Sequence, residues 1–211
     1  MAKLTMMILL TLIYLHVTEH GLCDASCPSE FEEIDGNWCF KWITKNTTYC
    51  EANEVCLNEG LKLGFRLFLV GYHAKVVPKH FSGKETVPTT ITALLNRSTN
   101  LRDGWRVGDP GMADFVFDPT DNYLPWRYTE PNKMQQRIAV FMRNELYDNE
   151  QFYSRYSGAL CELAQKPISE YPEKMRLNWP YPLTSLFLTD ASNQGCFEQK
   201  DSPTLLHCAK L

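Results

Sequence analysis

The apolar positions of this chain fall into patterns of different period, and each pattern predicts a different element. Met6–Val17 (MMILLTLIYLHV) is a nearly unbroken apolar run of 12 residues behind Lys3. It is about half the ~20 residues that a bilayer span needs, so it reads as the core of a secretory signal peptide over residues 1–22. Cleavage is placed after Gly21 or after Cys23. Further on, Tyr49, Ala52, Val55 and Cys56 recur at i, i+3, i+6 and i+7. That spacing predicts an amphipathic helix, with Thr47 or Thr48 as its cap and Gly60 as its stop. Asp35-Gly36-Asn37 separates an apolar start from an aromatic run and predicts a hairpin between Cys27 and Cys39. Leu67–Val70 is short and apolar, as a strand would be. Val87-Pro88-Thr89-Thr90 is read as the opening of a second helix (TTITALLNRS), with the rest of 71–104 as loop.

Short strands are predicted at Gly104–Gly108 and Ala113–Phe117, split by Asp109-Pro110-Gly111, and at Leu124–Pro131, Arg137–Met142 and Ala159–Leu163. From Lys166 the pattern changes. Pro167, Pro172, Pro180 and Pro182 punctuate a tail over 166–211, in which Cys196 and Cys208 are expected to close a small loop. The pattern predicts an α+β domain over 23–165, rich in loops, with small antiparallel sheets and one or two helices. No stretch after the leader is long and apolar enough to cross a membrane.

Composition narrows the function. A net charge of −4 leaves no basic excess to neutralise phosphates, which argues against nucleic acid as a partner. Eight cysteines (Cys23, Cys27, Cys39, Cys50, Cys56, Cys161, Cys196 and Cys208) behind a secretory leader read as disulfides in a secreted, extracellular protein. There is no CxxC pair and no zinc-like Cys/His spacing. The sequons at Asn46 and Asn96 are candidate glycosylation sites. No GxSxG, HExxH or phosphate-cradling glycine loop occurs, so an enzyme is not expected. His73 and His80 lie in a predicted loop and read as solvent-facing or satisfied side chains.

Several features in order resemble a known family. They are Cys27-Pro28, then Trp38-Cys39-Phe40, then Tyr49 with six residues between it and Cys56. Trp105-Arg106-Val107-Gly108 follows, then Trp126 with Glu130-Pro131-Asn132, then Cys161-Glu162. Together they are similar to the long form of the C-type lectin domain, over about Cys27 to Leu163. The resemblance implies a Cys27–Cys39 bond in the first hairpin and a Cys56–Cys161 bond from the first helix to the last strand. In the chain-entropy description, closing that loop of about 105 residues is worth about 4.7 kcal/mol. A cis peptide before Pro131 is also implied.

The family uses this triplet to bind calcium and, through the same oxygens, a sugar of the mannose type. Carried over, that makes Glu130 and Asn132 ligands, with Asn149 and Glu150 at the positions of the remaining Asn-Asp pair, and calcium as cofactor. The aromatic of that pair's motif is replaced by Asp148 or shifted to Tyr147. The last carboxylate ligand falls on Arg137, whose guanidinium has only donors and would pair with Glu130 or Glu150. The family's inner disulfide would sit at Ala139 and Tyr153, so both of its cysteines are missing. Cys50 matches no family position, and Cys23 or a second molecule is its expected partner. An inserted loop is expected near Val70–Pro88.

Two functions follow from the resemblance. One is binding of a carbohydrate or glycoprotein ligand, calcium-dependent and mannose-type. The other is a calcium-independent module that binds a protein, with Arg137 neutralising the former site. In the second, Trp179 and Tyr181 either contact the partner or pack the tail.

Overall fold

A computed structural model describes residues 27–35, 38–77, 81, 86–94, 98–110, 112, 115–120, 122–152, 155–164 and 196. The leader, Cys23, Asn96, Cys208, Trp179 and Tyr181 lie outside them.

The first half of the domain is built by consecutive elements of the chain. Strand β1 (Glu32–Ile34) turns back into β2 (Trp38–Thr47), with Glu33 opposite Cys39. Helix α1 (Tyr49–Leu63) follows directly. Its cap is Thr48, whose hydroxyl accepts from the Glu51 N–H at 3.4 Å while Glu51 accepts from the Thr48 N–H at 2.7 Å. The helix runs past Gly60 and stops at Gly64, which has φ of +73°. Gly60 has another reason to be glycine: a Cβ there would lie 2.7 Å from the Phe65 carbonyl oxygen and 2.9 Å from the Leu67 nitrogen. Strand β3 (Leu67–Leu69) and a 3-10 turn (Tyr72–Val76) come next, the turn opening the region expected as an inserted loop.

Val87–Thr92 is a strand, β4, and not the expected helix. Val, Thr, Thr, Ile and Thr are β-branched and lose side-chain freedom in a helix, and Pro88 disfavours helical backbone at Val87. Five of its six residues are buried, and the Thr89 hydroxyl donates to the Ala139 carbonyl at 2.7 Å. β5 (Ile138–Met142) and β6 (Glu145–Asn149) form a hairpin, and β7 (Tyr156–Leu163) ends the domain. One antiparallel sheet has the order β1-β2-β7-β3 and the other β4-β5-β6. The expected strands at 104–108, 113–117 and 124–131 reduce, among described residues, to single bridges: Arg106 to Thr92 and Val116, and Trp126 to Leu146.

Cys56 and Cys161 are bonded, and both are fully buried where α1 lies on β7 among Ala52, Leu69 and Ala159. Cys27 bonds Cys39 across the hairpin. The third bond corrects the expectation for the tail: Cys196 is joined to Cys50, not to Cys208. Cys208 was the nearer candidate along the chain, but Cys50 in the first turn of α1 stands with its Cα 5.4 Å from that of Cys196. The same bond replaces Cys23 and a second molecule as the partner of Cys50. No helix among the described residues is long and apolar enough to cross a membrane.

Candidate functional site

The loop carrying the triplet is held from both sides. Trp126 packs on the buried Trp105 ring at 4.7 Å between centroids. Pro125 accepts from the Leu146 N–H at 2.8 Å, and the Arg127 N–H donates to Leu146 at 3.1 Å. The Glu130–Pro131 peptide is cis. Beyond it, the Asn132 amide donates to Glu130 Oε1 at 2.8 Å, so the two triplet side chains do meet.

The residue that completes the cluster was missed from the sequence. Asp148 Oδ2 accepts from the backbone N–H groups of Asn132 and Lys133, each at 3.0 Å. The two-residue turn at Arg143 and Asn144, both at positive φ, sets the β5–β6 register and places Asp148 opposite Ala139. Side chains alternate along β6, so Leu146 and Asp148 are buried while Glu145, Tyr147 and Asn149 are half-buried. Counting back from Cys161 had selected Asn149 and Glu150. Asn149 Oδ1 accepts from the Glu150 N–H at 2.8 Å instead, closing a local turn. The usable signal was the period of two from apolar Leu146.

Glu130 and Asp148 are both buried, and their carboxyl groups hydrogen-bond each other. Burial, reinforced by that bond and by the Asp148 charge, pushes the Glu130 carboxyl up to about 7. Glu130 Oε2 and Asp148 Oδ1 are buried and accept no hydrogen bond from any donor among the described residues. Arg137 is 2% exposed just before β5, with its guanidinium 3.6 Å from the Met134 sulfur and its Nε unpaired. Burial lowers its pKa, opposed by the Asp148 charge. Its electrostatic partner is thus Asp148, in place of the expected Glu130 or Glu150.

A calcium ion takes six to eight oxygens. Here two carboxyls are neighbours, Asp148 Oδ2 is occupied by two N–H groups, the Asn132 amide is turned onto Glu130, and a guanidinium stands beside them. Among the described residues no three His, Cys, Asp or Glu side chains are grouped to hold a metal. The residues present do not fit the ion.

A second buried polar cluster draws on β7, β4 and the 3-10 turn. His73 Nδ1 is 2.6 Å from Glu162 Oε1, and the Trp38 ring stacks on the imidazole at 3.6 Å. Asp109 accepts from the Thr90 hydroxyl at 2.6 Å and the Tyr72 N–H at 2.8 Å. Burial raises the Glu162 pKa and His73 opposes the rise. At the surface, Tyr128 is 96% exposed in the turn before Glu130, with Met134 partly exposed nearby in sequence. Asn46 is exposed at the end of β2.

No family model matches the chain, and no curated protein does. Among solved structures, the chain is similar to the C-type lectin CEL-I from Cucumaria echinata at 14% identity and a TM-score of 0.48, over 67% of this chain and 99% of that one. It is similar to the carbohydrate-recognition domain of the mouse scavenger receptor C-type lectin at 16% and 0.47, over 67% and 99%. It is also similar to a calcium-independent type II antifreeze protein at 16% and 0.42, over 65% and 93%. The helix-to-last-strand disulfide, the pairing of β2 with β7, the cis Glu130–Pro131 bond and the two small sheets make the described residues a C-type-lectin-like α+β domain.

Proposed function

We propose that the chain is an extracellular recognition module that engages a protein ligand without calcium. The observation that carries this reading is the cluster at Glu130, where hydrogen bonds from the Asn132 amide and from the Asn132 and Lys133 N–H groups take carboxylate oxygens that a cation would need. Three disulfides suit an oxidising exterior. Tyr128 is the exposed anchor, and the Arg127 guanidinium lies 5.4 Å over the Tyr147 ring behind it. Tyrosine, arginine and methionine are the side chains enriched where proteins meet.

Calcium-dependent, mannose-type binding through Glu130, Asn132, Asn149 and Glu150 is the competing outcome. Retention on mannose-agarose is measured with calcium and with chelator, beside thermal unfolding in both. We expect equal retention and an unchanged Tm. Calcium-dependent retention, or a Tm rise of several degrees that chelator reverses, overturns the proposal.

A further inference from the structure

The three disulfides among the described residues sit in three different environments, and of these one joins an exposed cysteine to a half-buried cysteine at a helix start. Cys56 and Cys161 are both fully buried. Cys27 and Cys39 are both half-buried. Cys196 is exposed, while its partner Cys50 is half-buried.

Thiol–disulfide exchange needs access to one sulfur and a stable thiolate on the other. Cys50 is the second residue of the 15-residue helix α1. A thiolate there meets the positive end of the helix, which favours its charged form. The neighbouring Glu51 carboxylate is engaged with the Thr48 N–H. The second observation is Gln151, 1% exposed, whose side-chain amide lies 3.3 Å from Cys50 Sγ and 3.6 Å from Cys196 Sγ. A buried amide placed this way donates to the leaving sulfur.

We infer that Cys50–Cys196 is a thiol-exchange site, attacked at Cys196 by an external thiolate. The thiolate's electron pair forms a bond to Cys196 Sγ, the Cys50–Cys196 bond breaks, and Cys50 departs as a thiolate held by Gln151 and the helix end. The product is a mixed disulfide at Cys196, and no net oxidation has occurred. A dithiol goes further. Its second thiolate attacks its own sulfur in the mixed disulfide and releases Cys196 as a thiolate, and two electrons pass from the dithiol to the protein. Cys196 also lines a cavity of about 520 Å³ with Tyr49, Asn53, Thr92 and Arg106, so exchange acts on the rim of that cavity.

The test treats the native full-length chain with glutathione, quenches with acid, alkylates free thiols and maps the peptides. We expect glutathione on Cys196 and alkylation on Cys50, with Cys50–Cys196 lost at least about tenfold faster than Cys56–Cys161. Equal survival of the two bonds, or glutathione on Cys50 with Cys196 alkylated, overturns the inference. Gln151→Met keeps the side-chain length and removes the donor. Exchange should slow severalfold, because Cys50 then departs without its hydrogen-bond donor. An unchanged rate, with Cys56–Cys161 still protected, removes Gln151 from the mechanism.

Discussion

Two glutamates are buried among the described residues of this domain, and their neighbours give them opposite fates. Glu162, on β7, faces the imidazole of His73 at 2.6 Å under the Trp38 ring. Glu130, beside the cis peptide, faces the carboxyl of Asp148. Burial raises both carboxyls. At Glu162 a base opposes that rise and offers charge or hydrogen-bond compensation. At Glu130 a second acid adds to it, and the pair is comfortable only while it holds a proton. Burial of a carboxylate therefore does not by itself announce a cation site; the nearest partner decides what the group can do.

The largest effect should come from breaking the first pair. His73→Leu leaves Glu162 buried beside an apolar group, and unfolding in urea should show a loss of about 3 kcal/mol at neutral pH. The loss should shrink in acid, where Glu162 takes up a proton. Adding Glu162→Leu to His73→Leu should restore most of the stability, because no uncompensated charge then remains.

The second pair should respond with the opposite logic. The Glu130 carboxyl is raised to about 7, above the ordinary 4.5 it has when unfolded. Its contribution is thus fully present below about pH 4.5 and is lost as pH rises through about 7. Glu130→Gln supplies a permanent donor to Asp148. That variant should be more stable than the wild type at pH 8 by about 1–2 kcal/mol, and its Tm should lose the wild type's decline between pH 5 and 8. A wild-type Tm flat across that interval would show that no proton is shared.

The smallest effect lies away from both pairs. Thr48→Ala removes the cap of α1 and should cost about 1 kcal/mol by urea unfolding. Glu51, in the same capping box, is held below the ordinary carboxylate range by its hydrogen bonds to Thr48. Its contribution is present above that range and lost as pH falls, the reverse of Glu130.

Much of the scaffold could be read from residue order. The face formed by Tyr49, Ala52, Val55 and Cys56 is the buried face of α1, because a period of 3.6 leaves no other side to bury. Val87–Thr92 was misread because a Thr-rich run after Pro88 resembles a helix start until the packing of Ile91 and Thr89 against β5 is seen. Gly60 was taken as a stop because glycine's tight packing under Leu67 has no local signature. At the candidate site, Glu130 and Asn132 were legible from the triplet. Asp148 was not, because a one-residue error in strand register exchanges the buried and exposed faces.

Residue order alone determined the leader-like apolar run and the helix face, since each depends on short spacing or on residue type; the Cys27–Cys39 and Cys56–Cys161 bonds and the loop around Pro131 were implied by the family resemblance. Tertiary structure decided that Cys50 meets Cys196, that Asp148 meets Glu130 and that His73 meets Glu162. Those contacts join residues 146, 18 and 89 positions apart. Such separations carry no periodic signal. They arise only once sheets and helix have packed, and that packing places partners whose charge and hydrogen bonding fix the chemistry of the site.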